Sequence, residues 1–208
     1  MSLRSTLLAA VAVVGMSTAA FAVPVTGQIS IGGYAQANGS VGMGGATGIS
    51  FANASGSSVS GTSGTLTSFG AGSGAFAALG ACSSTTTGCG TIKDITSFTT
   101  MPATTSFLTL GTGTGSTVTF DLTSLTSVTR TQDNLGGSLT FTAGGLINFA
   151  GYDSTAGQFI LTAQGNNIVS FSATTLAANT AVPEPMSLAL LGSGLAAVGF
   201  IRRKRQSA

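Results

Sequence analysis

The sequence contains no histidine and no tryptophan, and only 6% of its 208 residues are charged. Without histidine, the Ser-His and Cys-His arrangements of nucleophilic catalysis cannot be assembled. A site with nitrogen or sulfur ligands for a metal is excluded as well, because the two cysteines cannot complete a set of three or four. These absences favour a protein that is not an enzyme and that uses no metal or cofactor.

Five of the seven basic residues lie outside residues 23–180. Residues 23–180 carry two basic and four acidic side chains, a net charge of −2: Lys93, Arg130, Asp94, Asp121, Asp133 and Asp153. Nucleic-acid binding needs a basic face with several phosphate contacts, so we expect no nucleic-acid partner. A carboxylate pair for glycoside hydrolysis and a calcium site at Asp133 or Asp153 stay open, although no spaced run of carboxylates supports the calcium site.

Residues 1–22 have the three parts of a secretory signal peptide. Arg4 precedes an apolar stretch from Leu7 to Met16, and the small-x-small sequence Ala20-Phe21-Ala22 follows. The apolar stretch is short for a retained anchor, because a spanning helix needs about 20 residues. We therefore predict a signal helix that the Sec machinery recognises and that signal peptidase cleaves between Ala22 and Val23.

Residues 181–208 combine a stiff motif, an apolar stretch and a basic cluster. The sequence reads Val182-Pro183-Glu184-Pro185, then residues 186–201, then Arg202-Arg203-Lys204-Arg205. As a helix the apolar stretch spans roughly 24 Å, slightly less than a hydrocarbon core of about 30 Å, which predicts one marginal transmembrane helix. The basic tail stays cytoplasmic, so the proline motif lies on the exported side.

This order of elements resembles the PEP-CTERM sorting signal. The resemblance implies processing by exosortase, a membrane-embedded cysteine protease-transpeptidase of Gram-negative bacteria that make exopolysaccharide. It also implies an exported chain that is first an inner-membrane-anchored precursor and then a cell-surface or extracellular protein. An ordinary single-pass anchor would explain the helix and the charges, but it would leave the motif to chance.

The ectodomain between these signals, residues 23–180, has the period-two pattern of half-buried antiparallel strands. Val118, Phe120 and Leu122 alternate with polar residues, and residues 139–143 and 169–174 do the same. Sequences 134–137, 143–145 and 164–167 are rich in glycine and asparagine, which predicts turns. Ten phenylalanines could fill one core, so we predict an all-β fold, an antiparallel sandwich or jelly roll.

The only cysteines, Cys82 and Cys89, are separated by six residues in a Ser/Thr/Gly-rich stretch. An even number of cysteines in an exported chain favours a disulfide. We therefore predict a Cys82–Cys89 bond that closes a small loop.

The expected function is a non-enzymatic surface or extracellular-matrix protein associated with exopolysaccharide and biofilm. The polysaccharide partner is implied by the resemblance, and hydroxyl-rich strand faces could meet it through hydrogen bonds. The alternative is a carbohydrate-binding adhesin module, anchored by the C-terminal transmembrane helix, with a site that includes Tyr34 or Tyr152. It ranks lower because the sequence lacks tryptophan, a usual stacking platform for sugars.

Overall fold

The structure is a computed structural model that describes residues 23–59, 61–111 and 116–177. The predicted signal helix, transmembrane helix and basic tail lie outside these residues. The described part contains eleven strands: β1 (Gln28–Asn38), β2 (Gly48–Phe51), β3 (Ser63–Thr65), β4 (Ser68–Phe69), β5 (Cys82–Ser83), β6 (Gly90–Lys93), β7 (Thr104–Leu110), β8 (Val118–Thr131), β9 (Ser138–Phe149), β10 (Thr155–Gln164) and β11 (Ile168–Ala177). Two short 3-10 helices span Met43–Gly45 and Gly74–Leu79.

All eleven strands belong to one antiparallel sheet. Its order is β3-β6-β7-β8-β9-β10-β11-β1-β4-β5, and β2 pairs with β1 beside this path. The predicted all-β antiparallel class is confirmed. The expected two packed sheets of a sandwich or jelly roll are replaced by a single sheet that curls, because its two ends meet.

The ends of the sheet meet on residues 63–69, which we call the closing segment. Its first half, β3, pairs with β6, and its second half, β4, pairs with both β1 and β5. Between these halves, the Thr67 amide donates to the carbonyl of Gly32 at 3.0 Å. The closing segment therefore joins the first strands of the path to the last ones.

Irregularities in β8 and β9 help the sheet to curl. The register between these strands shifts between Leu122 and Ser124 and again between Leu125 and Ser127, and such bulges bend a strand. The turn predicted at residues 143–145 is wrong, because these residues lie inside β9. Gly145 is required there for a different reason: a Cβ atom would lie 2.1 Å from the carbonyl oxygen of Asp121 on β8.

The core inside the curled sheet is largely aromatic. Nine of the ten phenylalanines in residues 23–180 are buried: Phe51, Phe69, Phe76, Phe107, Phe120, Phe141, Phe149, Phe159 and Phe171. The rings of Phe107 on β7 and Phe159 on β10 lie 5.4 Å apart and edge to face, although two strands separate β7 from β10 in the sheet. Curling brings these side chains together.

The first and last described residues lie at the same end of the paired strands β1 and β11. β1 starts opposite the end of β11, where Gln28 pairs with Leu176. Residues 23–27 precede β1 and are part of the fold, since the buried Val25 amide donates to Thr155 Oγ1 at 2.8 Å. Val23, the predicted N-terminus after cleavage, is 59% exposed.

In the part of the chain that the structure describes, no helix is sufficiently long and apolar to span a membrane. The predicted transmembrane helix 186–201 falls outside that part and stays a prediction.

Candidate functional site: an uncharged outer face

Four long neighbouring strands, β9, β10, β11 and β1, contain no charged residue. In each strand, buried positions alternate with exposed or half-buried ones, as a sheet with one solvated face requires. The polar side chains at the outer positions are mostly hydroxyls and amides. We call this surface the uncharged face; its members include Gln28, Ser30, Thr140, Thr142, Gln158, Thr162, Ser172 and Thr174.

Strand register arranges these hydroxyls in rows across the sheet. In one row Thr140 pairs with Thr162, and Thr162 pairs with Ser172. Neighbouring strands lie about 4.8 Å apart, so adjacent hydroxyls in a row are spaced at a similar interval. Each hydroxyl offers one donor and two acceptor lone pairs, which makes the face a dense hydrogen-bonding surface without ionic contacts.

Apolar side chains interrupt the polar rows of the uncharged face. Ile160 lies between Thr142 and Thr174 in the adjacent row, and Leu146 of β9 is 42% exposed. Such a mixture suits a ligand that presents both hydroxyls and C–H groups.

Three of the four carboxylates in residues 23–177 accept hydrogen bonds from backbone or side-chain donors. Asp94 Oδ1 accepts the amide of Phe51 at 2.8 Å, and Asp133 Oδ1 accepts the amides of Leu135 and Gly137 at 2.8 and 2.7 Å. Asp121 accepts a hydrogen bond from Asn148 Nδ2 at 2.9 Å. These contacts give the carboxylates structural roles at three separate places in the sheet.

The carboxyl of Asp94 is partly buried and its pKa is shifted. Burial raises its pKa above the ordinary value of 3.8, although hydrogen bonds from Phe51 and Ser50 act in the opposite direction. Among the residues that the structure describes, no group of three or more His, Cys, Asp or Glu side chains could hold a metal ion.

Both tyrosines suggested for a sugar site have one ring face covered. Gly56 packs against the ring of Tyr34 so closely that a Cβ atom on it would lie 2.8 Å from the ring. The ring of Tyr152 stacks on Phe149 with centroids 5.2 Å apart. Both tyrosines are partly exposed.

Cys82 and Cys89 form a disulfide, as the sequence predicts. Cys82 lies in β5 opposite Phe69, and Cys89 is buried just before β6. The intervening residues 83–88 are mostly exposed and rich in hydroxyls. The other predicted site residues, except Val23, lie outside the described residues: Ala20, Ala22, Val182, Pro183, Glu184, Pro185, Arg202, Arg203, Lys204 and Arg205.

Sequence reasoning missed β10, which supplies Gln158 and Thr162 to the uncharged face. A signal for it was present, because Phe159, Leu161 and Ala163 alternate with these polar residues. The rows across the face could not be predicted, since they depend on which strands become neighbours.

A comparison with protein families identifies a PEP-CTERM protein-sorting motif at residues 181–205. No curated protein and no solved structure matches the chain. The motif indicates an exported chain that exosortase processes and that is sorted to the envelope of a Gram-negative bacterium. The chain thus carries a PEP-CTERM protein-sorting motif, and its described part is an antiparallel β-sheet with an uncharged outer face.

Proposed function

We propose that this chain is a non-enzymatic surface or extracellular-matrix protein that associates with exopolysaccharide through its uncharged face. The observation that carries the proposal is the lack of any charged residue in four adjacent long strands, β9, β10, β11 and β1. A hydrated polysaccharide offers hydroxyl groups and C–H surfaces, and the face offers hydroxyls, amides and a few apolar side chains.

The proposal predicts a contact based on hydrogen bonds that are individually weak. A hydrogen bond that replaces contacts with water contributes only about 0.5–1.5 kcal/mol net, so affinity would come from many sites along one polymer. The sorting motif supports this role, because it directs the chain to the envelope, where such a polymer is within reach.

The non-enzymatic part of the proposal rests on chemistry that the sequence lacks and on the use of its carboxylates. The whole sequence has no histidine. Asp94, Asp121 and Asp133 accept hydrogen bonds from strands or turns, which supports structural roles for these three carboxylates.

Charge placed on the uncharged face tests the proposal. We would compare the wild type with Thr162→Glu/Ser30→Glu, two exposed positions on β10 and β1, in co-sedimentation with the producer's own exopolysaccharide. The variant should bind several-fold less, because each glutamate removes a hydroxyl and keeps its own hydration. Wild-type binding should change little with salt, since screening acts on ionic contacts.

A matched control carries the same charges elsewhere. Thr85→Glu/Thr86→Glu adds two glutamates to the exposed loop between the cysteines and should bind like the wild type. Equal binding by the face variant would contradict the proposal, as would binding that high salt abolishes. Tight, selective binding to one glycan on an array would instead support the adhesin alternative.

A further inference from the structure

The closing segment is held by the shortest strands among those described. β3 has three residues, and β4 and β5 have two each, whereas β8 to β11 have between 10 and 14. Because ladder hydrogen bonds accumulate with strand length, the join at the closing segment is weaker than the rest of the sheet. Local opening of a fold begins in such regions.

The disulfide links two partners of this weak join. Cys82 pairs with Phe69 in the second half of the closing segment. The amide of Cys89 donates to the carbonyl of Leu66 at 2.8 Å, at the centre of the segment. The bond therefore holds β5 and the start of β6 against the closing segment at the same time.

We propose that the Cys82–Cys89 bond is an oxidation-dependent clasp that closes the sheet. On closure the two thiols lose two protons and two electrons as the S–S bond forms. The electrons pass to the disulfide of an external thiol–disulfide oxidant, which is reduced to its dithiol. The reduced chain keeps the long ladders from β7 to β11 and on to β1, but it has an open join at residues 63–69.

The clasp makes closure depend on the compartment. Thiols stay reduced in the cytosol, and disulfides persist outside it, so the exported chain closes its sheet only after it leaves the cell interior. The exposure of the two cysteines also predicts which sulfur is attacked when the disulfide is reduced. Cys82 is partly exposed and Cys89 is buried, so an external thiolate attacks the Cys82 sulfur and Cys89 leaves as the thiolate.

Hydrogen exchange on the mature oxidised protein, with and without reductant, tests the clasp. A bond that closes a loop of eight residues stabilises by about 2.5 kcal/mol on the chain-entropy model. At about 1.4 kcal/mol per tenfold, this corresponds to exchange about 60-fold faster. We expect that acceleration in peptides covering residues 63–69 and 82–93, while residues 138–149 and 155–164 exchange as before.

Two variants distinguish the effect of the disulfide from the effect of the loop that it closes. Cys82→Ser/Cys89→Ser should reproduce the reduced protein. Ser84→Ala/Thr87→Ala removes the hydroxyl contact between these residues and the hydrogen bonds that the Ser84 hydroxyl accepts from two loop amides, and it should leave the closing segment protected. If the cysteine variant fails to fold, reductant added to the already folded wild type still gives the answer. Unchanged exchange at residues 63–69, or equal acceleration in β9 and β10, would overturn the proposal. Glutathione trapped on Cys89 instead of Cys82 would overturn the direction of attack.

Discussion

The contact between Phe107 and Phe159 offers a direct test of the curled sheet. The two strands that carry these rings, β7 and β10, are three strand spacings apart, which is about 14 Å in a flat sheet. The structure places the ring centroids 5.4 Å apart in an edge-to-face arrangement. Such aromatic pairs contribute about 0.5–1.5 kcal/mol beyond the area that they bury. A coupling energy of this size is therefore expected only if the sheet curls.

The measurement is a double-mutant cycle with Phe107→Leu and Phe159→Leu. Leucine is preferred because Phe→Ala in a core costs about 3–5 kcal/mol, a large part of a typical stability of about 5–15 kcal/mol. Urea denaturation of the wild type, both single variants and the double variant gives the coupling energy. The control pair is Phe159 with Phe69, which the structure does not place in ring contact. A Phe107–Phe159 coupling within about 0.3 kcal/mol of zero, the usual scatter for independent sites, would refute the curled arrangement.

Three further predictions concern a buried hydroxyl, a buried carboxyl and the sorting tail. Thr175→Val should raise the free energy of unfolding by about 1 kcal/mol, because the Thr175 hydroxyl is buried without a hydrogen-bond partner in the described structure; a loss of stability in urea would show that the hydroxyl is satisfied. Asp94 has a pKa raised by burial, so the folded state binds its proton more tightly and this group's contribution to stability falls as the pH rises from 3.8 through the folded pKa. Asp94→Asn keeps a hydrogen-bond acceptor but removes the charge. Denaturation in urea should show a higher free energy of unfolding for this variant than for the wild type near pH 7, and no difference near pH 3. A difference of equal size at both pH values would contradict this. Pro185→Ala should leave an envelope form whose intact mass includes residues 202–205, as should the wild type in a host without exosortase; a full tail on the mature wild type beside exosortase would mean a plain anchor.

Local patterns in the sequence predicted the elements whose side chains alternate. Val118, Phe120 and Leu122 are buried in β8 as expected, and the glycine-rich residues 134–137 follow β8 as a turn. The same logic failed at Gly144 and Gly145, because glycine is common in turns and a strand glycine leaves no local signal. The close approach of β8 to β9 explains why residue 145 is a glycine.

The sequence patterns also did not predict which strands pair with one another over long distances in the chain. Ser68 pairs with Gly32 across a long stretch of intervening chain, and a two-residue strand such as β4 has no periodicity to detect. The partners of the closing segment, and with them the single curled sheet, could therefore not be predicted from local patterns. The sorting motif was readable for the opposite reason, since its proline motif, apolar stretch and basic cluster are contiguous in the chain.

The position of β11 has a mechanical consequence for a chain whose sorting tail continues from Ala177. β11 lies between β10 and β1 and pairs with both along most of its length. Hydrogen bonds in antiparallel ladders run perpendicular to the strands, so a pull on Ala177 along the strand axis loads both ladders in shear, many bonds at a time. Peeling, which breaks bonds one after another, would need a force across the sheet. A tail attached to a central strand thus transmits tension to the uncharged face without breaking the ladder hydrogen bonds one after another.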